Sequence, residues 1–123
     1  MVRDELEKFL TDRAGGLGVV LAMDLIEGSN QKEIEGRVGV SGETVKKRLD
    51  EGVEIGIFER TWSPKDHGNS NRYKLTSEGQ TLRENFRNYK INNTYQKLRK
   101  RQEELDEKIE STIDDLNAIG FHE

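Results

Sequence analysis

Apolar residues recur along this chain in two rhythms, one near 3.6 and one near 2, and the switches between them mark its elements. In residues 3–13, Leu6, Phe9 and Leu10, with Val2 ahead of them, form one stripe, which predicts an amphipathic first helix broken at Gly15-Gly16. Residues 17–27 are apolar nearly all round, through Leu17, Val19, Val20, Leu21, Ala22, Met23, Leu25 and Ile26, which predicts a helix at the centre of the core. Asp24 is the exception, expected to face solvent or to bond a neighbouring backbone or arginine. Gly28-Ser29-Asn30 reads as a turn. Asn30 with Glu33 three residues on has the spacing of a capping box for a helix over 31–38, whose core contacts are Ile34 and Val38. A tight turn at Gly39-Val40 follows, and Ser41 offers a side-chain oxygen to open the next helix. There Val45, Leu49 and Val53 share one buried face, and Gly56 is placed to end the helix as a left-handed residue.

The rhythm then shortens. Ile57, Phe58, Thr61 and Trp62 predict a strand, residues 63–71 are dense in turn formers, and Arg72, Tyr73, Lys74 and Leu75 alternate as a returning strand. Trp62 and Tyr73 sit within the strands and are read as packing residues. From Ser77 the pattern is helical almost to the end. Leu82, Phe86 and Tyr89 are spaced to dock on the preceding core, and the phase changes at Ile91-Asn92-Asn93. Beyond that point Ile91, Tyr95, Leu98, Gln102, Leu105, Ile109, Thr112, Leu116 and Ile119 follow alternating steps of four and three, a coiled-coil seam about 42 Å long. A helix so long and polar needs a partner to cover its stripe: the same helix of a second chain, the N-terminal helix through Leu6, Phe9 and Leu10, or both. The alternative is a helix that packs only on its own domain. Gln102 and Thr112 interrupt the seam and would fix its register. A parallel pair sets Arg101 near Asp106 of the partner and an antiparallel pair sets it near Asp115, so both orientations stay open. Gly120 is placed to end the helix.

Charged residues make up 36% of the 123 residues and hydrophobic ones 32%, too polar for one compact globule and suited to a small core with a long exposed helix. There is no cysteine, hence no disulfide and no thiolate metal site, and His67 and His122 are too far apart in the chain to suggest zinc. No metal and no cofactor is expected. No apolar run approaches the ~20 residues of a membrane span, and the acidic, amphipathic start is unlike a signal peptide, so a cytoplasmic protein is expected. The net charge of −4 comes largely from the C-terminal helix, with residues 1–90 near balance. Local basic patches, rather than net charge, would have to bind phosphate. A mild acid excess also fits a salt-adapted organism. No nucleophile motif, phosphate-cradling glycine loop or paired carboxylates point to an enzyme.

The helix opened by Ser41 turns Glu43, Thr44 and Lys47 away from its buried face, flanked by Lys46 and Arg48, an outer surface suited to a major groove. Glu43, Thr44 and Lys47 are the candidates for base edges, since glutamate can accept from cytosine N4 and lysine can reach guanine. Ser41, Lys46, Arg48, Lys65, Arg72 and Lys74 are the candidates for phosphate, with Lys65 and His67 near the tip of the hairpin loop and Arg72 and Lys74 at its base. Asp50 and Glu51 fall at the end of the helix that would emerge from the groove.

The run VGVSGETVKKRLDEGVEIGIFER, the hairpin, and YKLTSEGQTL resemble the winged helix-turn-helix regulators of the PadR, MarR and ArsR type. Leu75-Thr76-Ser77-Glu78-Gly79 matches their Leu-Thr-x-x-Gly helix start. The resemblance covers residues 15–90, and the short chain with one long C-terminal helix is most similar to small PadR-like proteins, haloarchaeal oxidant-response members included. It implies a fold that is mainly α with a small β-hairpin wing and a long C-terminal dimerisation helix. Residues 1–14 would support the dimer, 15–90 would bind double-stranded DNA, and 91–123 would pair two copies as a homodimer on an operator. Glu35 departs from the pattern, which places a small residue four before the turn glycine; Gly36 is expected to relieve the crowding. The other function class open to such a fold is a protein-interaction module in a transcription or chromatin complex.

Overall fold

The apolar stripes converge on one core. Phe9, Val19, Val20, Met23, Ile34, Val45, Leu49, Ile57, Phe58, Tyr73 and Leu75 pack together, with Leu6, Leu10, Val38, Val53, Leu82 and Phe86 at its margin. The computed structural model describes residues 3–64 and 71–118. The chain divides into two compact units, Met1–Asn88 and Tyr89–Glu123, and this core belongs to the first, as do the first fourteen residues.

Helix α1 (Arg3–Glu7) continues through a wider π-turn at Lys8–Asp12. Phe9, expected at a dimer interface, is instead buried in the core, edge-on to Phe58 at 6.3 Å between ring centres. Leu6 and Leu10 pack against the same core. The central helix α2 spans Gly16–Ala22 and stops short of the 17–27 expected from its apolar run. Asp24 is the cause. Its Oδ1 accepts the backbone N–H groups of Ile26 (2.9 Å) and Glu27 (2.8 Å), a local turn that competes with the helix. Leu25 and Ile26 are thereby carried out to solvent. The carbonyls that α2 leaves unpaired are met by two arginines. Arg37 Nη1 donates to Ala22 O at 2.8 Å, and Arg83 Nη1 donates to Val20 O and Met23 O at 2.9 and 3.0 Å.

Ser29 and Asn30, expected in a turn, form a short strand β1 (Ser29–Asn30) that pairs antiparallel with β3 (Arg72–Leu75). With β2 (Phe58–Thr61) on the other side of β3, the sheet has three strands in the order β1-β3-β2, one more than a bare hairpin. The capping box at Asn30 is present: Asn30 Oδ1 accepts Glu33 N–H at 2.8 Å, and Glu33 Oε1 accepts Asn30 N–H at 3.0 Å. It opens α3 (Gln31–Glu35), which ends before the Val38 expected from spacing. Helix α4 (Gly42–Ile55) starts at Ser41, whose Oγ accepts Thr44 N–H at 3.2 Å, and ends at Gly56 with φ 89°.

The start of α5 (Ser77–Asn88) shows what Thr76 and Gly79 do there. Thr76 Oγ1 accepts Gly79 N–H at 3.1 Å and donates to Gly56 O at 2.6 Å, so one hydroxyl caps α5 and joins it to the end of α4. A Cβ on Gly79 would overlap the Ile57 carbonyl oxygen, so glycine permits the close approach of α5 to the same junction. Leu82 and Phe86 pack on the core as expected, whereas Tyr89 is exposed. Helical geometry breaks at Lys90, φ 56°, and α6 (Ile91–Ala118) follows in the second unit. Among the described residues no helix is long and apolar enough to cross a membrane.

Candidate nucleic-acid interface

Helix α4 is held from below by Val45 and Leu49, both fully buried, which turns Glu43 and Lys47 outward to solvent. Neither side chain bonds to another described residue. Thr44 is half-buried, and its Oγ1 accepts a hydrogen bond from Ser41 Oγ at 3.0 Å. The Ser41 hydroxyl is therefore occupied twice, once as helix cap and once by its neighbour.

The two cations flanking this face are committed. Arg48 Nε donates to Ala14 O at 2.8 Å, and its Nη1 reaches Glu51 Oε1 at 2.6 Å; the other Glu51 oxygen meets Arg13 Nε at 3.3 Å. Its side chain is 12% exposed. Arg48 thus braces α4 against the loop before α2 and does not stand free for phosphate, as its flanking position had suggested. Lys46 leans toward the sheet. Its Nζ contacts both Asp50 carboxylate oxygens, at 3.1 and 3.0 Å, and donates to Tyr73 Oη at 3.2 Å.

Asp50 is the hub of that contact. It also accepts from Tyr73 Oη at 3.0 Å and from Arg60 Nη2 at 3.1 Å, and the two cations each lie 5.9 Å from the centre of the Tyr73 ring. Burial pushes the Asp50 carboxyl up, but the hydrogen bonds from Lys46, Tyr73 and Arg60 outweigh it and hold its pKa below the ordinary value. The same carboxylate raises the pKa of Lys46 and of Arg60. Residues from α4, β2 and β3 meet here, so the angle between helix and sheet is fixed by charge as well as by packing. Two cations against one carboxylate leave the cluster with an excess positive charge.

At the base of the hairpin, Arg72 is a correction to the expectation from sequence. It is 3% exposed, with Nη1 donating to Gly28 O at 3.0 Å and Nη2 paired to Glu33 Oε1 at 3.0 Å. It ties β3 to the start of α3 from inside the fold. Lys74 lies opposite Glu59 across the strand pair, in an exposed ion pair of 3.2 Å. Trp62, read as a packing residue, lies just past β2 with 72% of its surface exposed. Lys65 and His67 lie outside the described residues.

Sequence reading missed a second outward cation. An open groove of about 460 Å³ is lined by Gln31, Lys32, Glu35, Lys46, Asn71 and Tyr73. Lys32 lies in the first turn of α3, and its side chain pairs with no other described residue. The signal was the Asn30 cap, which fixes where the first turn of α3 begins. Glu35 is accommodated differently from expectation. It accepts from Gln31 Nε2 at 3.0 Å and lies over Gly42, where a Cβ would overlap its carboxylate. Gly42, not Gly36, makes the room.

In the second unit, Leu98, Leu105, Ile109 and Leu116 of the predicted seam are exposed, and Ile91 and Tyr95 are half-buried. Gln102 Nε2 donates to Asp106 Oδ1 at 3.1 Å, and Thr112 Oγ1 to Lys108 O at 2.9 Å. Ile113, outside the predicted seam, adds an exposed apolar residue beside Thr112. Ile119 lies outside the described residues. No group of metal-ligating side chains occurs among the described residues.

No protein-family model and no curated protein matches the chain. Solved structures do. A possible HxlR family transcriptional factor from Thermoplasma volcanium is 18% identical over 77% of this chain and 84% of its own, with a TM-score of 0.57. YodB from B. subtilis, in its diamide-treated form, is 23% identical over 74% of this chain and 90% of its own, TM-score 0.54. A MarR family transcriptional regulator from Rhodococcus is 23% identical over 96% of this chain and 84% of its own, TM-score 0.51. The likeness establishes the fold: mainly helical with a small three-stranded antiparallel sheet, the winged helix shared with transcriptional regulators of the MarR and HxlR type.

Proposed function

We propose that this chain is a transcriptional regulator that binds double-stranded DNA as a homodimer, with α4 in the major groove and the loop after β2 on the backbone or minor groove. The observation that carries the reading is the outer face of α4. Glu43 and Lys47 project from it without partners among the described residues, while the neighbouring cations are spent on holding the helix in place. That division suits direct readout, in which a rigid helix presents a few side chains to base edges. Thr44 contributes a third group on the same surface; Lys32, which borders a groove with Lys46, and the exposed Lys74 of β3 are candidates for phosphate. The exposed apolar stripe of α6 supplies the dimer contact, and the half-sites read by the two copies of α4 would lie about one helical turn of DNA apart, ~34 Å, or a multiple of it. Within the class, the single long C-terminal helix favours the small PadR-like kind, and the protein would work in the cytoplasm.

A second reading has its own support. The net charge is −4, and Arg48, Arg72 and Arg83, none of them exposed, all donate to backbone carbonyls. A winged helix of net negative charge, with several of its arginines spent on its own backbone, also suits protein docking. Operator selection from random DNA, followed by affinity against salt, separates the two. A regulator enriches one sequence and shows a steep negative log-log slope from counterion release. Absence of DNA binding at 50 mM salt, where a few phosphate contacts already hold, overturns the DNA reading in favour of docking.

A further inference from the structure

Leu98, Leu105, Ile109 and Leu116 lie along one face of α6, between 41% and 66% exposed. The charges around this face are sorted by position. Residues 97–101 carry Lys97, Arg99, Lys100 and Arg101 with no acid, whereas Lys108 stands alone among the acids of residues 103–115. A lone helix is stabilised by the opposite order, since the helix dipole favours anions at the N-terminal end and cations at the C-terminal end. The arrangement makes electrostatic sense when something of reversed polarity lies alongside.

Resting on the dimer reading above, we propose that the partner of α6 is α6 of a second copy, antiparallel, in the register symmetric about Glu107. From Tyr95 to Ile119 the seam is palindromic about that residue, with Ile91 outside the match. Leu98 then faces the partner's Leu116, and Leu105 faces the partner's Ile109. The polar interruptions also coincide, with Gln102 facing the partner's Thr112, so between Leu98 and Leu116 no polar seam residue is set against an apolar one. On the flank, Arg101 comes beside the partner's Asp115, twice by symmetry. The costs fall at the two-fold axis, where Lys108 meets its own copy and Asp106 meets its own copy.

A parallel pair matches the seam too, each residue against itself, and sets Arg101 near the partner's Asp106. It also lays the basic stretch against its own copy, and the acidic stretch likewise, at a helix spacing of about 8–10 Å. That spacing is close to one Debye length at physiological salt, so the repulsion is felt along the helix. The antiparallel pair instead sets each basic stretch beside the partner's acidic end and opposes the two helix dipoles. The order of the charges decides between orientations that the apolar seam leaves equal.

The chain has no cysteine, which makes the test clean. In the full-length protein, the double variant Leu98→Cys with Leu116→Cys is expected to form a covalent dimer rapidly under mild oxidation, while each single variant cross-links slowly. The two positions are about 27 Å apart along one helix, so the bond must form between chains. Rapid self-cross-linking of Leu98→Cys alone overturns the orientation and leaves the dimer standing. A parent protein that is monomeric by light scattering at micromolar concentration overturns the dimer itself. Charge reversal guards against cysteine variants that assemble poorly. Arg101→Asp is expected to weaken dimerisation about tenfold, with recovery on adding Asp115→Arg. Recovery with Asp106→Arg instead overturns the antiparallel register.

Discussion

Tyr73 Oη donates to Asp50 Oδ1 at 3.0 Å, a bond that ties the middle strand of the sheet to α4 across 23 positions of sequence. Lys46 and Arg60 close on the same carboxylate, so the helix and both long strands share one anchor. Asp50→Asn keeps the shape but removes the charge that holds two cations together. We expect a loss of about 1 kcal/mol, discounted for the partial exposure of the pairs. In thermal denaturation this lowers Tm by roughly 4–8 °C for a domain of this size. An unchanged midpoint would mean that apolar packing alone sets the angle between helix and sheet.

The same cluster sets a pH dependence. The pKa of Asp50 is lowered from 3.8, so its contribution is present above that value and is lost as pH falls through the lower folded-state value. The pKa of Lys46 is raised from 10.5, so its contribution is present below that value and is lost as pH rises through the higher one. The stability difference between the parent and Asp50→Asn should therefore be flat across the neutral range and shrink below about pH 3.8. Urea titrations of the pair at several pH values read this directly; a difference that grows on acidification is incompatible with the ion-paired geometry.

Arg72 gives a prediction of the opposite kind from a DNA contact. Replacing it with Met leaves the Gly28 carbonyl without its donor and Glu33 without its cation, both at the junction of β3 with α3. The expected loss is about 2–3 kcal/mol of stability. Affinity for an operator, measured on the fraction that remains folded, should stay within about twofold, below 0.5 kcal/mol. A large affinity loss at unchanged stability would return Arg72 to the binding surface.

Thr76 and Gly79 secure the other end of α4. Thr76→Val removes the cap of α5 and the bond to Gly56 O in one step, and should cost about 1–2 kcal/mol. Gly79→Ala forces a Cβ into the Ile57 carbonyl, a backbone atom with little freedom to yield, and should cost about 1–3 kcal/mol. Denaturant midpoints of the two variants check both values. If Gly79→Ala is neutral, α5 has room to slide along the junction.

What the sequence made legible was local. The capping box at Asn30, the cap at Ser41 and the left-handed Gly56 depend on residues within four positions, so their spacing predicts them, and the Thr76 start was legible through the resemblance of Leu75-Thr76-Ser77-Glu78-Gly79. Asp24 was local too, but the apolar run around it argued for a longer helix, and a side chain bonding its own backbone won. Strand β1, at two residues, is too short to show a period. The cations were the hardest to read. Arg48 finds its carbonyl 34 positions away and Arg72 finds its own 44 away, so which basic residues face outward is a property of the tertiary fold. Lys32 is a mixed case: the Asn30 cap places it in the first turn of α3, but the groove it borders with Lys46 and Tyr73 is formed by residues distant in sequence.

Lys47 is the cation for which binding and stability should separate most cleanly. It stands on the outer face of α4, exposed, two positions past the buried Val45 and two before the buried Leu49. Lys47→Ala removes no contact to a described residue and slightly favours the helix, so stability should hold within about 0.5 kcal/mol. Binding should respond differently at specific and random DNA. A lysine reading a guanine edge contributes to discrimination, and its loss should cost about 1–3 kcal/mol at the selected operator while relaxing the preference for that base pair. A lysine on phosphate would weaken both DNAs alike and reduce the salt slope by about one ion. Titrating parent and variant against operator and random duplex at two salt concentrations distinguishes these patterns. Equal affinity of parent and variant for the operator would remove Lys47 from the interface altogether. Glu43, on the same exposed face near the start of α4, would then be the residue to test next.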